Sequence, residues 1–422
     1  MSAPLRLPTG GKPVSVPPGQ ARIPPASRPK THYVPPNAGV ASSAWTAAGT
    51  FLDFEIPSGV GVLRTTMLRL DVTNSNASLT VPPSPFMIQQ IEVYVGSQLL
   101  ETLYPNDIYN EACGFNNYDD ALAEYAATNY DVTTLIANTA AATTTPLTGV
   151  AKAGNFSAYI PFNNLLTCCR FYCDGVKETI KFRVYFPVSM FANTTSLGAA
   201  TLVIGEDCGT ANDRRQWDMA ASSGVVYSTV ARQRMNTSIT KTSTDYTLEL
   251  TGVTGSSAGF FVYASPVVVP GTNSVTWYPF GSGASESIAP NRLLPVRFTL
   301  KSLELDDQMG NKRTEKLQAD DLKSFVWPSQ IGTSFAALIH NDVYPLAFCE
   351  NMYNAITTGV YCGHLKTNGR DRLVIEGDPH NSNAGNTNEV WSVTVTNYTY
   401  QALVVRNNSL AEVLRNPHTS DL

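Results

Sequence analysis

Residues 85–115 read PFMIQQIEVYVGSQLLETLYPNDIYNEACGF. Ile91, Val93 and Val95 fall on one face of an extended segment and Glu92 and Tyr94 on the other, the period-two alternation of a half-buried strand. Gly96-Ser97-Gln98 turns the chain, a second short strand LLETLY runs to Pro105, and Asn106-Asp107 supplies a helix N-cap before IYNEACGF. The order returns near residue 295. Pro295 leads into VRFTL, with Val296, Phe298 and Leu300 on one face, whereas Leu303 and Leu305 are apolar in the opposite phase. That slip predicts a β-bulge. DDQMGN turns the chain, and Ala319-Asp320-Asp321 caps a short helical segment, LKSFVW, that Pro328 stops. Strand, turn, strand and capped helix, used twice, imply two similar domains in one chain.

The rest of the chain agrees. Its 422 residues accommodate two domains of roughly 180 residues each. Apolar residues make up 43%, enough for a sizeable core, while charged residues are sparse at 15%. With 29 Gly, 27 Pro and few long helical patterns, the composition is that of an all-β protein with many turns. Alternating segments recur at TFLDFEI, VLRTTMLRLDVTN, FSAYIPFNNLL and ETIKFRVYF in the first half. The second half has VVYSTVARQRMNTSIT, DYTLEL, GFFVYASPVVV, DVYPLAFCENM, RLVIE and EVWSVTVTNYTY followed by QALVV. DVYPLAF stands where the first half has AYIPF. About eight strands per domain is the number of a jelly roll, two four-stranded sheets packed face to face. The expected division is a Pro-rich basic arm at 1–44, a first jelly roll at 45–215, a second at 216–410 and a C-terminal tail at 411–422. Residues 192–223 read as a loop holding the boundary, and the Thr/Ala-rich run 128–155 as an insertion on an outer face.

The arm carries ten prolines and no acidic residue, with Arg6, Lys12, Arg22, Arg28 and Lys30 as its cations. Such a segment cannot pack a core of its own and is extended until something holds it. A net charge of −5 argues against wholesale nucleic-acid binding by the folded body. Seven cysteines at irregular spacing, with no secretory signal and no apolar run near the ~18 residues of a membrane span, read as reduced, mostly buried thiols in a protein that is not secreted.

Searching for chemistry yields no catalytic, cofactor-binding or metal-ligating set. Cys168-Cys169-x-x-x-Cys173 has no second Cys or His pair nearby, and adjacent cysteines on a strand point to opposite faces. Asp378-Pro379-His380, with Glu376 and Asp371 upstream, reads as a polar turn between strands. His340 and Asp342 have no nucleophile elbow to serve, and there is no Walker loop, dinucleotide fingerprint or His-Glu-x-x-His. The chain therefore reads as a non-enzyme with no cofactor and no small-molecule substrate.

The repeated units PFMIQQIEVYVGSQLLETLYPNDIYNEACGF and LLPVRFTLKSLELDDQMGNKRTEKLQADDLKSFVWP, together with YIPFNNLL and VYPLAF, resemble the double jelly-roll major capsid proteins. This is the lineage of tectivirus-type phages, adenovirus hexons, large eukaryotic DNA viruses, virophages and polinton-like viruses. The resemblance spans about residues 45–410, and the short chain is most like the small members, virophages and polinton-like viruses. It implies a virion protein made in the host cytoplasm or nucleus that forms homotrimeric, pseudo-hexagonal capsomers and tiles an icosahedral capsid with neighbouring trimers, penton and minor capsid proteins. It also implies that the basic arm lies inside the shell and touches adjacent trimers, an internal membrane or the genome. Two other classes fit a β-sandwich. A carbohydrate- or receptor-binding protein would bind glycans as a monomer, and a β-sandwich hydrolase would lose turnover with one cleft carboxylate.

Overall fold

The computed structural model describes residues 29–111, 150–187, 195–266, 298–322, 343–379 and 390–414, with gaps of a few residues inside some of these spans. The first sandwich is built from β1 Pro29–Val34, β2 Phe51–Glu55, β3 Val62–Asn74, β5 Gln90–Val95, β6 Gln98–Leu103, β8 Gly154–Phe162, β9 Ile180–Tyr185 and β10 Thr195–Asp207, with a small pair β4 Thr80–Val81 and β7 Val150–Ala151 beside it. Its two sheets run β1-β10-β3-β8 and β2-β9-β5-β6. All pairings are antiparallel, and this interleaving of early and late strands is the jelly-roll order.

The second sandwich repeats it. The strands β11 Val225–Thr240, β12 Asp245–Glu249, β13 Thr254–Pro266, β14 Phe298–Asp306, β15 Leu317–Gln318, β16 Val343–Ala347, β18 Arg372–Pro379 and β19 Val390–Arg406 form sheets β11-β19-β13-β16 and β12-β18-β14-β15. β17 Leu365–Asn368 extends the edge at β13, and β20 Ser409–Leu414 folds back on β19. The fold is all-β, a double jelly roll.

The two strands of the opening stretch fold as read, while 109–110 and 112–115 of its helical segment lie outside the described residues. Ile91, Val93 and Val95 are buried between the sheets, and a two-residue turn joins β5 to β6 with Gly96 at φ +60°, a conformation glycine adopts without strain. The helical turn starts ahead of the expected Asn106-Asp107 cap, at 105–108, because Pro105 is preorganised for the first helical position. In β14 the register against β18 shifts between Leu300 and Ser302, so Lys301 is the extra residue of a bulge. That bulge is what lets Leu300, Leu303 and Leu305 all face the core.

Three expectations change. Residues 192–223 are mostly not a loop: Thr195–Asp207 is a central strand and Ala211–Ser223 a helix. A register shift between Leu197 and Ala199 flips the phase of burial and hides the alternation of Leu197, Ala200, Leu202 and Ile204. Lys30 belongs to β1, an edge strand of the first sheet, so residues 29–34 are part of the folded body and not of a free arm. Residues 411–414 likewise belong to β20 and not to a tail. Arg6, Lys12, Arg22 and Arg28, residues 128–149, the helical segment after Leu322, and His340, Asp342 and His380 lie outside the described residues.

Candidate functional site: the seam between the sandwiches

In the second sandwich, alternate residues of the long strands point to opposite sides of the sheet. Phe260, Val262, Val393 and Val395 fill the space between its two sheets, while Phe261, Tyr263, Tyr398 and Tyr400 face outward. Yet these outward aromatics are at most 1% exposed. They are covered by the first sandwich, through the segment that follows β6 and through a short helix α1, Leu165–Cys168, and also by helix α3, Met352–Thr358, of the second sandwich itself. The helix α2, Ala211–Ser223, is the covalent link, started by a Thr210–Asp213 capping box and anchored by Trp217 and Ala221.

A polar network lies inside this seam. Arg232 on β11 donates from Nη1 to Glu101 Oε1 at 2.7 Å and from Nη2 to Glu111 Oε2 at 2.7 Å, with Nε on the other Glu111 oxygen. Glu101 also accepts the Arg232 backbone amide at 3.1 Å and the first amide of α1, Leu165 N, at 2.8 Å. Tyr398 Oη donates to Glu111 at 3.0 Å, and Asp107 accepts from Thr396 Oγ1 at 2.6 Å and Tyr263 Oη at 3.3 Å. Arg234 stacks over the Tyr104 ring, 4.4 Å from its centroid. Burial pushes the Glu111 carboxyl up, against the pull of Arg232, and the nearby Asp107 charge adds to the rise. Burial works against the charge of Arg232 as well, but Glu111 and Glu101 hold it well above its ordinary value. Apart from the Glu101–Leu165 contact, which lies within the first sandwich, each of these contacts joins one sandwich to the other, so the two form a single block.

α1 is placed by its own cap. Asn164 accepts from Leu166 N and Thr167 N while Thr167 Oγ1 accepts from Asn164 N, and Thr229 of β11 donates to Leu165 O at 2.6 Å. The cysteines singled out in the sequence sit at the end of this helix and just beyond it, not on a strand. Cys168 turns into the seam and donates to Ala355 O at 3.8 Å, whereas Cys169 and Cys173 turn into the first core. Burial pushes the Cys168 thiol up to about 11 and raises the other two as well, which suppresses thiolate chemistry. The six described cysteines are unbridged. Asp371 is buried against Arg313 at 2.7 Å, and Glu376 meets Lys316 at 2.7 Å on another face, so the polar turn does not gather its carboxylates. Among the described residues no group of three or more His, Cys, Asp or Glu is arranged to hold a metal ion.

Sequence reading missed the seam because its members lie far apart, Arg232 being 131 residues from Glu101 and 121 from Glu111. The only signal was a charged pair, Arg232 and Arg234, on a strand whose neighbours alternate as core.

No family model and no curated protein matches the chain. Solved structures do. A PBCV-1 virus capsid structure superposes with a TM-score of 0.65 at 12% identity, over 91% of this chain and 96% of that one. The Faustovirus major capsid protein gives 0.58 at 8% identity, over 96% and 93%, and a structure of the Sputnik virophage 0.54 at 11% identity, over 99% and 93%. At these identities the likeness is one of fold, and it covers both sandwiches together.

Proposed function

We propose that the chain is the major capsid protein of an icosahedral virus, assembling as homotrimeric, pseudo-hexagonal tiles. The observation that carries this reading is the dry seam, which makes two similar sandwiches into one rigid block, combined with a fold likeness to capsid proteins that runs through the whole block. Three such blocks around an axis make a ring of six similar sandwiches, and closing that ring needs only a head-to-tail contact between unlike faces. The protein acts as a structural unit of the virion without turnover. Its partners are other copies of itself, then neighbouring trimers and the penton and minor capsid proteins of the shell. Arg6, Lys12, Arg22 and Arg28 precede the edge strand β1 and reach from it toward an adjacent trimer, a membrane or the genome. Light scattering of the purified chain, with negative-stain imaging of the same fractions, tests this. Particles of three times 45.6 kDa with a hexagonal outline are expected; a monomer at high concentration that binds glycans or turns over a substrate would sink it.

A further inference from the structure

Cys349 and Cys362 flank helix α3, and the chain folds back so that the segment before the helix runs beside the segment after it. Glu350 N donates to Cys362 O at 3.1 Å, and a Cβ placed on Gly363 would stand 3.5 Å from Cys349 Cα and 3.8 Å from its Cβ. Tyr400 of β19 ties the pair together from the sheet beneath. Its hydroxyl accepts the Cys362 amide at 3.1 Å and lies within hydrogen-bond reach of the Cys349 thiol. Backbones this close suit a disulfide, which spans Cα atoms ~4.4–6.8 Å apart. Cys349 is buried among Phe261, Tyr398 and Tyr400, and Cys362, half-buried, packs against the same cluster. The two are unbridged, the Cys362 thiol donating instead to Val360 O at 3.4 Å.

We propose that Cys349 and Cys362 form a reversible disulfide that clasps α3 onto the seam. The bond closes the loop 349–362, which holds the whole helix. α3 turns Met352, Ala355 and Ile356 inward and receives the Cys168 thiol of the first sandwich on Ala355 O, and its capping Gly359 accepts from Ser228 Oγ of β11 at 3.2 Å. A helix of seven residues cannot hold itself, so its place depends on this packing. Joining its two ends removes conformations from the opened loop and so favours the closed one. The oxidant is a small disulfide of the glutathione class. The Cys362 thiolate attacks one of its sulfurs and expels a thiolate, which takes up a proton. The Cys349 thiol then loses its proton, and its sulfur attacks the Cys362 sulfur and expels the second small thiol. Two protein thiols and one small disulfide become one protein disulfide and two small thiols. Burial and the neighbouring Cys362 push the Cys349 thiol up to about 12, so the second step is slow at neutral pH and quickens as the pH rises.

This assignment does not depend on the capsomer reading. The test uses the full chain, incubated with oxidised glutathione or with dithiothreitol, then alkylated, digested without reduction and read by mass spectrometry. A linked pair of peptides carrying Cys349 and Cys362 is expected in the oxidised sample and not in the reduced one. Amide exchange of residues 352–358 should slow on the order of a hundredfold on oxidation. Cys349→Ser should stop at glutathione held on Cys362, with no such slowing. Both cysteines still alkylated after oxidation, glutathione retained on Cys362 of the parent chain, or links to other cysteines would overturn the pairing. A bridge that leaves exchange at 352–358 unchanged would overturn the clasp.

Discussion

Arg183 and Arg232 make the same bond in different surroundings. Arg183, on the outer face of β2-β9-β5-β6, forks onto Asp53 at 2.7 and 2.8 Å and lies 4.2 Å from the Phe51 ring centroid, with its side chain 25% exposed. Arg232 forks onto Glu111 and reaches Glu101 as well, with its side chain 3% exposed and the carboxylates 6% and 0%. Water shares the charge of Arg183, so the pair contributes little and can be lost cheaply. At the seam nothing shares it. A dry ion network is weak as glue but severe as a constraint, because any displacement strands a charge. The network thus sets the angle between the sandwiches more than it sets their affinity.

The largest expected effect separates these two arginines. Arg232→Met leaves Glu101 and Glu111 buried without a cation and should cost ~3–5 kcal/mol in denaturant unfolding, whereas Arg183→Met should cost ~1 kcal/mol or less. Equal losses would break the comparison. Next come two outer sheet faces: Phe261→Ala, in the seam, should cost ~3–5 kcal/mol, and Met67→Ala, half-buried on β3 of the first sandwich, no more than ~1 kcal/mol. A monomer in which Met67→Ala is as costly as Phe261→Ala would mean that the first face is already covered.

Glu206 lies between the extremes, with its side chain 1% exposed but its partner His32 at 19%. Burial raises its pKa, yet the Cys208 thiol, the Gly61 amide and the His32 ring outweigh that and hold it below its ordinary 4.5. The folded carboxyl binds its proton less readily than the unfolded one, so its stabilisation is present above pH 4.5 and is lost as the pH falls from there through the folded value. Amide exchange in β1 should therefore speed up on acidification below pH 4.5, and Glu206→Gln should flatten that dependence. The smallest effect is at the link: Thr210→Ala removes the cap of α2 and should cost ~1 kcal/mol, read by thermal melting.

What the sequence disclosed is whatever local spacing encodes. The phase slip around Lys301 announced a bulge because burial demands that three leucines face one way, and Gly96 announced a hairpin because few residues close so tight a turn. The strand at 195–207 escaped because a bulge hid its alternation, and α2 because only Trp217 and Ala221 of its thirteen residues are buried. The edge strand PKTHYV was disguised by the prolines around it. The seam left no local trace, since its charges meet only after both sandwiches have formed.

The turn between β19 and β20 adds a matter of timing. Asn407 and Asn408, at φ +53° and +57°, take the left-handed conformation that a tight hairpin needs, and the turn is bound to the first sandwich through Lys177 N on Asn408 O at 2.8 Å and Asn408 Nδ2 on Gly175 O at 3.3 Å. Leu403 and Val405 are counted in the first core, with Leu410 and Val413 packed against it. The first sandwich is therefore unfinished while it is being synthesised. Its core stays open on one side until residues near 414 have left the ribosome, and folding must close a loop of some two hundred residues. During that interval the chain exposes apolar surface, and translation speed or a chaperone decides how much of it reaches the assembled state.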